Sequence, residues 1–197
     1  MSSSFEKTIA FSHLIHAFQR VERRTHVPGT ERWENDAEHS YALAMMAWYL
    51  IDSLRLSYDK EKVFRYALAH DFVEVYAGDT WSFGKADTKG KSKAERETES
   101  QAKLASGFSE FADLHATIGS YESRKDEESR FVYALDKVMP ILAGFAQQGR
   151  DWKGLGVSFM DVYEYKKEKI LAQKEVSAIF EELMGAIDKN REDYFNS

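Results

Sequence analysis

Pro28 and Pro140 are the only prolines in 197 residues. Proline removes a backbone donor and glycine loosens the chain, so these two residues most often punctuate helices. Breakers are few here, and period-two runs of β-branched residues are hard to find. An all-α fold built from long helices is therefore expected. Ile9, Phe11, Leu14, Ile15 and Phe18 recur at helical spacing, which predicts a helix over 5–24. Asn35 or Asp36 can cap a second helix, ending near Leu54. A third, over 60–76, carries Val63, Phe64, Ala67, Leu68 and Phe72. Further helices are expected over 94–107, 109–120 and 126–148, the last stopped by Gly149, and over the charged tail 158–189. Residues 5–155 are expected to form the helical core of a single domain, with 156–197 a helical extension packed on it. Residues 78–93 lack an apolar period and hold Gly84 and Gly90. A lid is expected there, with Lys85, Lys89 and Lys91 able to approach a bound anion.

Composition removes several classes of function. There is no cysteine, which excludes disulfides, zinc–thiolate sites, iron–sulfur clusters and cysteine nucleophiles. The net charge is −6 with no basic block, so a nucleic-acid duplex is not an expected partner. No apolar run approaches the roughly 18 residues of a membrane span. The first residues, Met1-Ser2-Ser3-Ser4-Phe5, carry neither the basic nor the apolar part of a secretory signal, and a cytoplasmic protein is expected.

Six polar groups fall inside or beside apolar surroundings. His70 and Asp71 interrupt Ala67-Leu68-Ala69 and Phe72-Val73, with Glu74 close behind and Asp79 just past Gly78. His39 follows Glu34-Asn35-Asp36-Ala37-Glu38 at a helix start, and Asp136 sits among Val132, Leu135 and Met139. Burying carboxylates beside apolar residues costs several kcal/mol, on the order of 3–5, unless a cation pairs them. Imidazole with carboxylate suits Mn, Fe, Co, Ni or Zn. Pro140 withholds the N–H that the Asp136 carbonyl would otherwise accept, so a kink is expected beside it.

The order His39, then His70-Asp71, then Asp136, with gaps of 31 and 65 residues, resembles the HD-domain phosphohydrolases. Two segments, 34–40 and 70–79, look like the 5′-deoxynucleotidase and HDDC2-like branch, as do Tyr121-Glu122 and Leu135-Asp136-Lys137. The resemblance covers about residues 10–150. It implies an all-helical HD fold and one divalent metal held by His39, His70, Asp71 and Asp136. Glu74 and Asp79 would then assist catalysis, Asp79 also contacting substrate. Phosphate would be met by an arginine at the end of the first helix, Arg23 or Arg24, with Arg24 preferred. Apart from the resemblance, Trp33 and Trp81 are candidates for stacking on a base, and Trp81 is taken as the substrate contact. The reaction implied is hydrolysis of a small phosphate ester, a (deoxy)nucleoside 5′-monophosphate, by a homodimer. Two other readings stand beside it: a non-catalytic nucleotide- or partner-binding HD protein, and a di-iron HD oxygenase. The oxygenase needs extra histidines between Asp71 and Asp136, where His115 stands alone.

Overall fold

The structure, a computed structural model, describes residues 3–79 and 92–196. Helix α1 (Ser4–Phe18) leads into an antiparallel pair, β1 (Glu22–His26) and β2 (Trp33–Asn35). Then come α2 (Asp36–Ser53), α3 (Lys60–Ala69) and the single turn α4 (Glu74–Ala77). The chain continues through α5 (Lys93–Gly107), α6 (Ala112–Ser123), α7 (Glu127–Ala146) and α8 (Arg150–Leu155). It ends with α9 (Phe159–Ile170), α10 (Lys174–Asp188) and α11 (Arg191–Tyr194). The fold is helical, as expected. Residues 80–91, and with them Trp81, Lys85, Lys89 and Lys91 of the expected lid, lie outside the described residues.

The first helix is shorter than its apolar spacing predicts. It stops at Phe18, and Glu22 pairs with Asn35 and His26 with Trp33 instead. Contacts distant in sequence override local helix preference here. The His26 ring stacks on Trp33 with centroids 3.7 Å apart. Its Nδ1 lies 2.5 Å from Asp151 Oδ1 on α8, and its backbone N–H donates to Asp151 Oδ2. The arginines expected at a helix end therefore sit on a strand.

Helix α2 begins where the sequence puts it. Glu38 N–H donates to Asn35 Oδ1 at 3.0 Å, and Asn35 N–H donates to Glu38 Oε2 at 3.2 Å. This reciprocal pair satisfies two donors that the helix start would leave unpaired. Arg32 grips Glu38 from outside with two bonds of 2.7 Å. The first turn of α2, which carries Asp36 and His39, is thereby fixed.

The expected third helix breaks at His70. His70 N–H still donates to Tyr66 O, but Ala67 O is taken by His70 Nδ1 at 2.9 Å. The chain then tightens through three-residue turns, Phe72 N–H to Ala69 O and Glu74 N–H to Asp71 O, before α4. Helix α7, by contrast, runs through Pro140 to Ala146.

Two apolar clusters meet at this break. The larger joins α2, α3, α7, α9 and α10 through Leu43, Val63, Phe131, Leu135, Ile170 and Phe180. The smaller joins α1, α5 and α6 through Leu14, Phe18, Leu104 and Ile118, with Phe72 and Val73. Ala67 belongs to the first and Ala69 to the second, so His70 and Asp71 sit at the seam.

Candidate metal centre and pocket

Three parts of the chain deliver the four expected ligands to one point. His39 comes from the first turn of α2, His70 and Asp71 from the break after α3, and Asp136 from mid-α7. One ligand atom from each lies within 4.8 Å of all the others. His39 Nε2 is 2.9 Å from Asp136 Oδ1. His70 Nε2 is 3.0 Å from Asp71 Oδ2 and 3.9 Å from Asp136 Oδ1. Donor atoms packed round a first-row cation, with bonds of about 2.0–2.3 Å, are spaced in this way.

The tautomers agree with that assignment. His70 Nδ1–H donates to Ala67 O, so its Nε2 carries a lone pair into the cluster, where it has no hydrogen bond. A buried imidazole nitrogen left without a partner is costly, and a cation satisfies it. His39 turns Nδ1 towards Glu34 Oε2, 3.5 Å away, and Nε2 towards Asp136. A second group orienting the far ring nitrogen is usual for metal-bound histidine. Two imidazoles and two carboxylates, almost all buried, suit Mn, Fe, Co, Ni or Zn.

The carboxylates divide by environment. Burial raises all of them, but at Asp71 the neighbouring His70 and Arg23 outweigh it and hold the group well below the usual range. At Asp136 burial is outweighed by Lys137, whose Nζ is 2.5 Å from Oδ2, and by His39. Asp36 and Glu74 go the other way. Burial, reinforced by Asp71, pushes Asp36 up to about 7 despite Arg23. Burial and then Asp71, Asp36 and Asp79 push Glu74 well above the usual range. Glu74 Oε2 and Asp36 Oδ2 are buried without hydrogen-bond partners. These two groups hold protons at pH values where an ordinary carboxyl has lost them. With Asp71 they form a second gathering of possible ligand atoms.

Arg23, rather than the preferred Arg24, reaches the cluster. Its Nη1 donates to Asp71 Oδ2 at 2.7 Å and Asp36 Oδ1 at 3.2 Å, and its Nε is 3.5 Å from Glu34 Oε2. Arg24 is exposed on the opposite face of β1, with its guanidinium carbon 5.9 Å from the Trp33 ring centroid. Strand alternation separates the neighbours. Asp79 follows Gly78, whose φ of +71° turns the chain sharply, and lines a pocket of about 370 Å³ beside the cluster. Tyr121 and Glu122 line it too. His115 is elsewhere, its Nε2 donating to Phe108 O at 2.8 Å. No further histidine among the described residues joins the candidate metal ligands.

Several residues of this site are absent from the sequence-based set. Asp36 and Glu34 read there as helix-start polar residues, yet Asp36 is 0% exposed. Lys137 and Lys166 line the pocket from α7 and α9. Lys166 had a legible signal. Val162, Lys166 and Ile170 share one stripe of α9 at four-residue spacing, and all three are buried.

Comparison with known proteins adds independent findings. The HD domain family model matches residues 15–178. The chain is 30% identical over 142 residues to 5′-deoxynucleotidase HDDC2 of Mus musculus, covering 72% of this chain and 70% of that protein. It is 29% identical over 198 residues to 5′-deoxynucleotidase HDDC2 of Xenopus laevis, covering 96% and 94%. The crystal structure of a predicted metal-dependent phosphohydrolase from Magnetospirillum magnetotacticum MS-1 superposes with a TM-score of 0.81 at 30% identity, over the whole of both chains.

Proposed function

The chain belongs to the HD-domain family of metal-dependent phosphohydrolases, and from that premise we propose that it is a 5′-nucleotidase. It hydrolyses (deoxy)nucleoside 5′-monophosphates to nucleoside and phosphate. The observation that carries this reading is the buried quartet His39, His70, Asp71 and Asp136, with Glu74 buried beside it. The deoxynucleotidase relatives support the choice of substrate.

A divalent cation on the quartet supplies charge neutralisation and lowers the pKa of water. The chain's own groups do the rest. Glu74, which lines the pocket and whose Oε2 has no hydrogen-bond partner, accepts the proton of the attacking water when ionised. Arg23 braces Asp71 and Asp36, so the ligand carboxylate keeps its orientation. Asp79, which lines the pocket, contacts a sugar hydroxyl in this reading. Arg24 has no part in this scheme.

A homodimer belongs to the same reading. Tyr41, Met45, Trp48 and Tyr49 leave an apolar face of α2 exposed, and Leu68 of α3 extends the exposed apolar surface. Among the described residues no helix is long and apolar enough to cross a membrane. The test is metal analysis of the purified protein followed by phosphate release from each nucleoside monophosphate, ribo and deoxy. Metal-loaded protein that releases phosphate from none of them would refute the assignment.

A further inference from the structure

The pocket has a second wall that the proposed chemistry does not use. Helix α9 packs on α7, and its inner stripe runs Val162, Lys166, Ile170. An ammonium thus occupies a position where the helix pattern calls for an apolar side chain. Lys166 is 4% exposed and lines the same pocket as His70, Asp71 and Asp136. Desolvating an ammonium is expensive unless an anion or several acceptors meet it. Among the described residues Lys166 has no hydrogen bond or ion pair; its Nζ lies 5.6 Å from the Tyr165 ring centroid.

Cations nearer the quartet are already committed. Arg23 serves Glu34, Asp36 and Asp71, and Lys137 sits on Asp136 at 2.5 Å. A phosphoryl group entering this pocket brings two negative charges and three terminal oxygens. It needs a donor that is not already neutralised. An ammonium suits this need, being a compact charge with three donors that rotate to fit. Lys169, one turn further along α9, adds a second positive group to the same wall.

We propose that Lys166, supported by Lys169, binds the terminal oxygens of the substrate's phosphoryl group, so that α9 supplies the anion subsite of the pocket. This rests on the phosphomonoesterase reading for the identity of the anion. The electrostatics agree. Desolvation, then Lys137, pull the Lys166 ammonium down to about 7, so an arriving anion relieves a strained charge.

The test uses the metal-loaded full chain and three variants, Lys166→Met, Lys166→Gln and Lys166→Arg. Inorganic phosphate binding is measured by calorimetry, and KM and kcat are measured with a nucleoside monophosphate. Lys166→Met should keep its metal and its fold. It should bind phosphate about 10- to 100-fold more weakly and raise KM by a similar factor, with a smaller change in kcat. Lys166→Arg should recover most of the loss. Unchanged phosphate affinity in metal-loaded Lys166→Met overturns the proposal, as does failure of the wild type to bind phosphate at millimolar concentration. Unfolding of both Lys166→Met and Lys166→Gln would make Lys166 a packing residue and overturn it too. Lys166-dependent phosphate binding by a protein that cleaves no nucleotide would sustain the subsite while refuting the nucleotidase reading.

Discussion

In the proposed ligand set, His39 links metal binding to pH. Burial and the Arg23 charge lower its pKa, but hydrogen bonds to Asp136 and Glu34 outweigh them and leave it above the ordinary histidine value. A metal ligand must be neutral at the donating nitrogen, so proton and cation compete for Nε2. Asp71 and Asp136 stay ionised well into acid and do not contribute to this competition. Metal affinity should therefore be flat above the His39 pKa. Below it, affinity should fall by up to about tenfold per pH unit. Competition with a chelator between pH 5.5 and 8.5 measures this, and an affinity independent of pH would remove His39 from the ligand set. Glu74 makes a different prediction. Glu74→Gln keeps the shape but cannot accept a proton, so turnover should drop by about 10²–10⁴-fold with metal content unchanged. Loss of the metal in that variant would show that Glu74 holds the cation.

The legible elements are those whose signals are local. The second helix could be placed from Asn35 or Asp36 because a helix cap is a short-range chemical pattern; the structure makes Asn35 the cap. The order of His39, His70-Asp71 and Asp136 was also readable, since polar residues inside apolar runs stand out. The hairpin was not readable. Residues 22–26 are Glu-Arg-Arg-Thr-His, with no strand pattern, and they pair because Trp33 and Asp151 hold His26 from afar. Missing that strand meant missing which arginine faces inward. The break at His70 escaped because its cause is a side chain capturing a backbone carbonyl. Gly149, expected to stop the long helix, lies three residues beyond its last helical residue, at φ +69°. A Cβ there would stand 1.9 Å from the Tyr194 carbonyl oxygen. Gly149→Ala combines backbone strain with overlap against backbone and should cost about 2–5 kcal/mol. Denaturant unfolding of the metal-free protein checks it, and a loss below about 0.5 kcal/mol would mean that α11 moves aside freely.

At the scale of the whole molecule, the candidate metal site is also a joint. The two apolar clusters meet at His70 and Asp71, and the ligands come from α2, the α3–α4 break and α7. No single element could assemble this set alone, so the unfolded chain has no comparable site. A ligand that binds the folded state alone stabilises it by mass action, about 2.7 kcal/mol at a free concentration 100 times Kd. For a chain of this size that raises the unfolding temperature by about 5–10 °C. Without the cation, Asp36 and Glu74 oppose ionisation at the same joint. A carboxyl raised to about 7 favours the folded state below the unfolded value near 3.8, and this contribution is lost as pH rises through 7. The two effects predict one pattern. The stabilisation by metal should grow from pH 5 to pH 8, because the cation binds more tightly as His39 loses its proton and offsets carboxylate repulsion that is then at its greatest. Scanning calorimetry with and without the divalent ion at both pH values measures the increment. Asp71→Ala, which removes a ligand, should abolish it at either pH. Equal unfolding temperatures with and without metal in the wild type would mean that the quartet is a hydrogen-bonded joint between two cores and holds no cation.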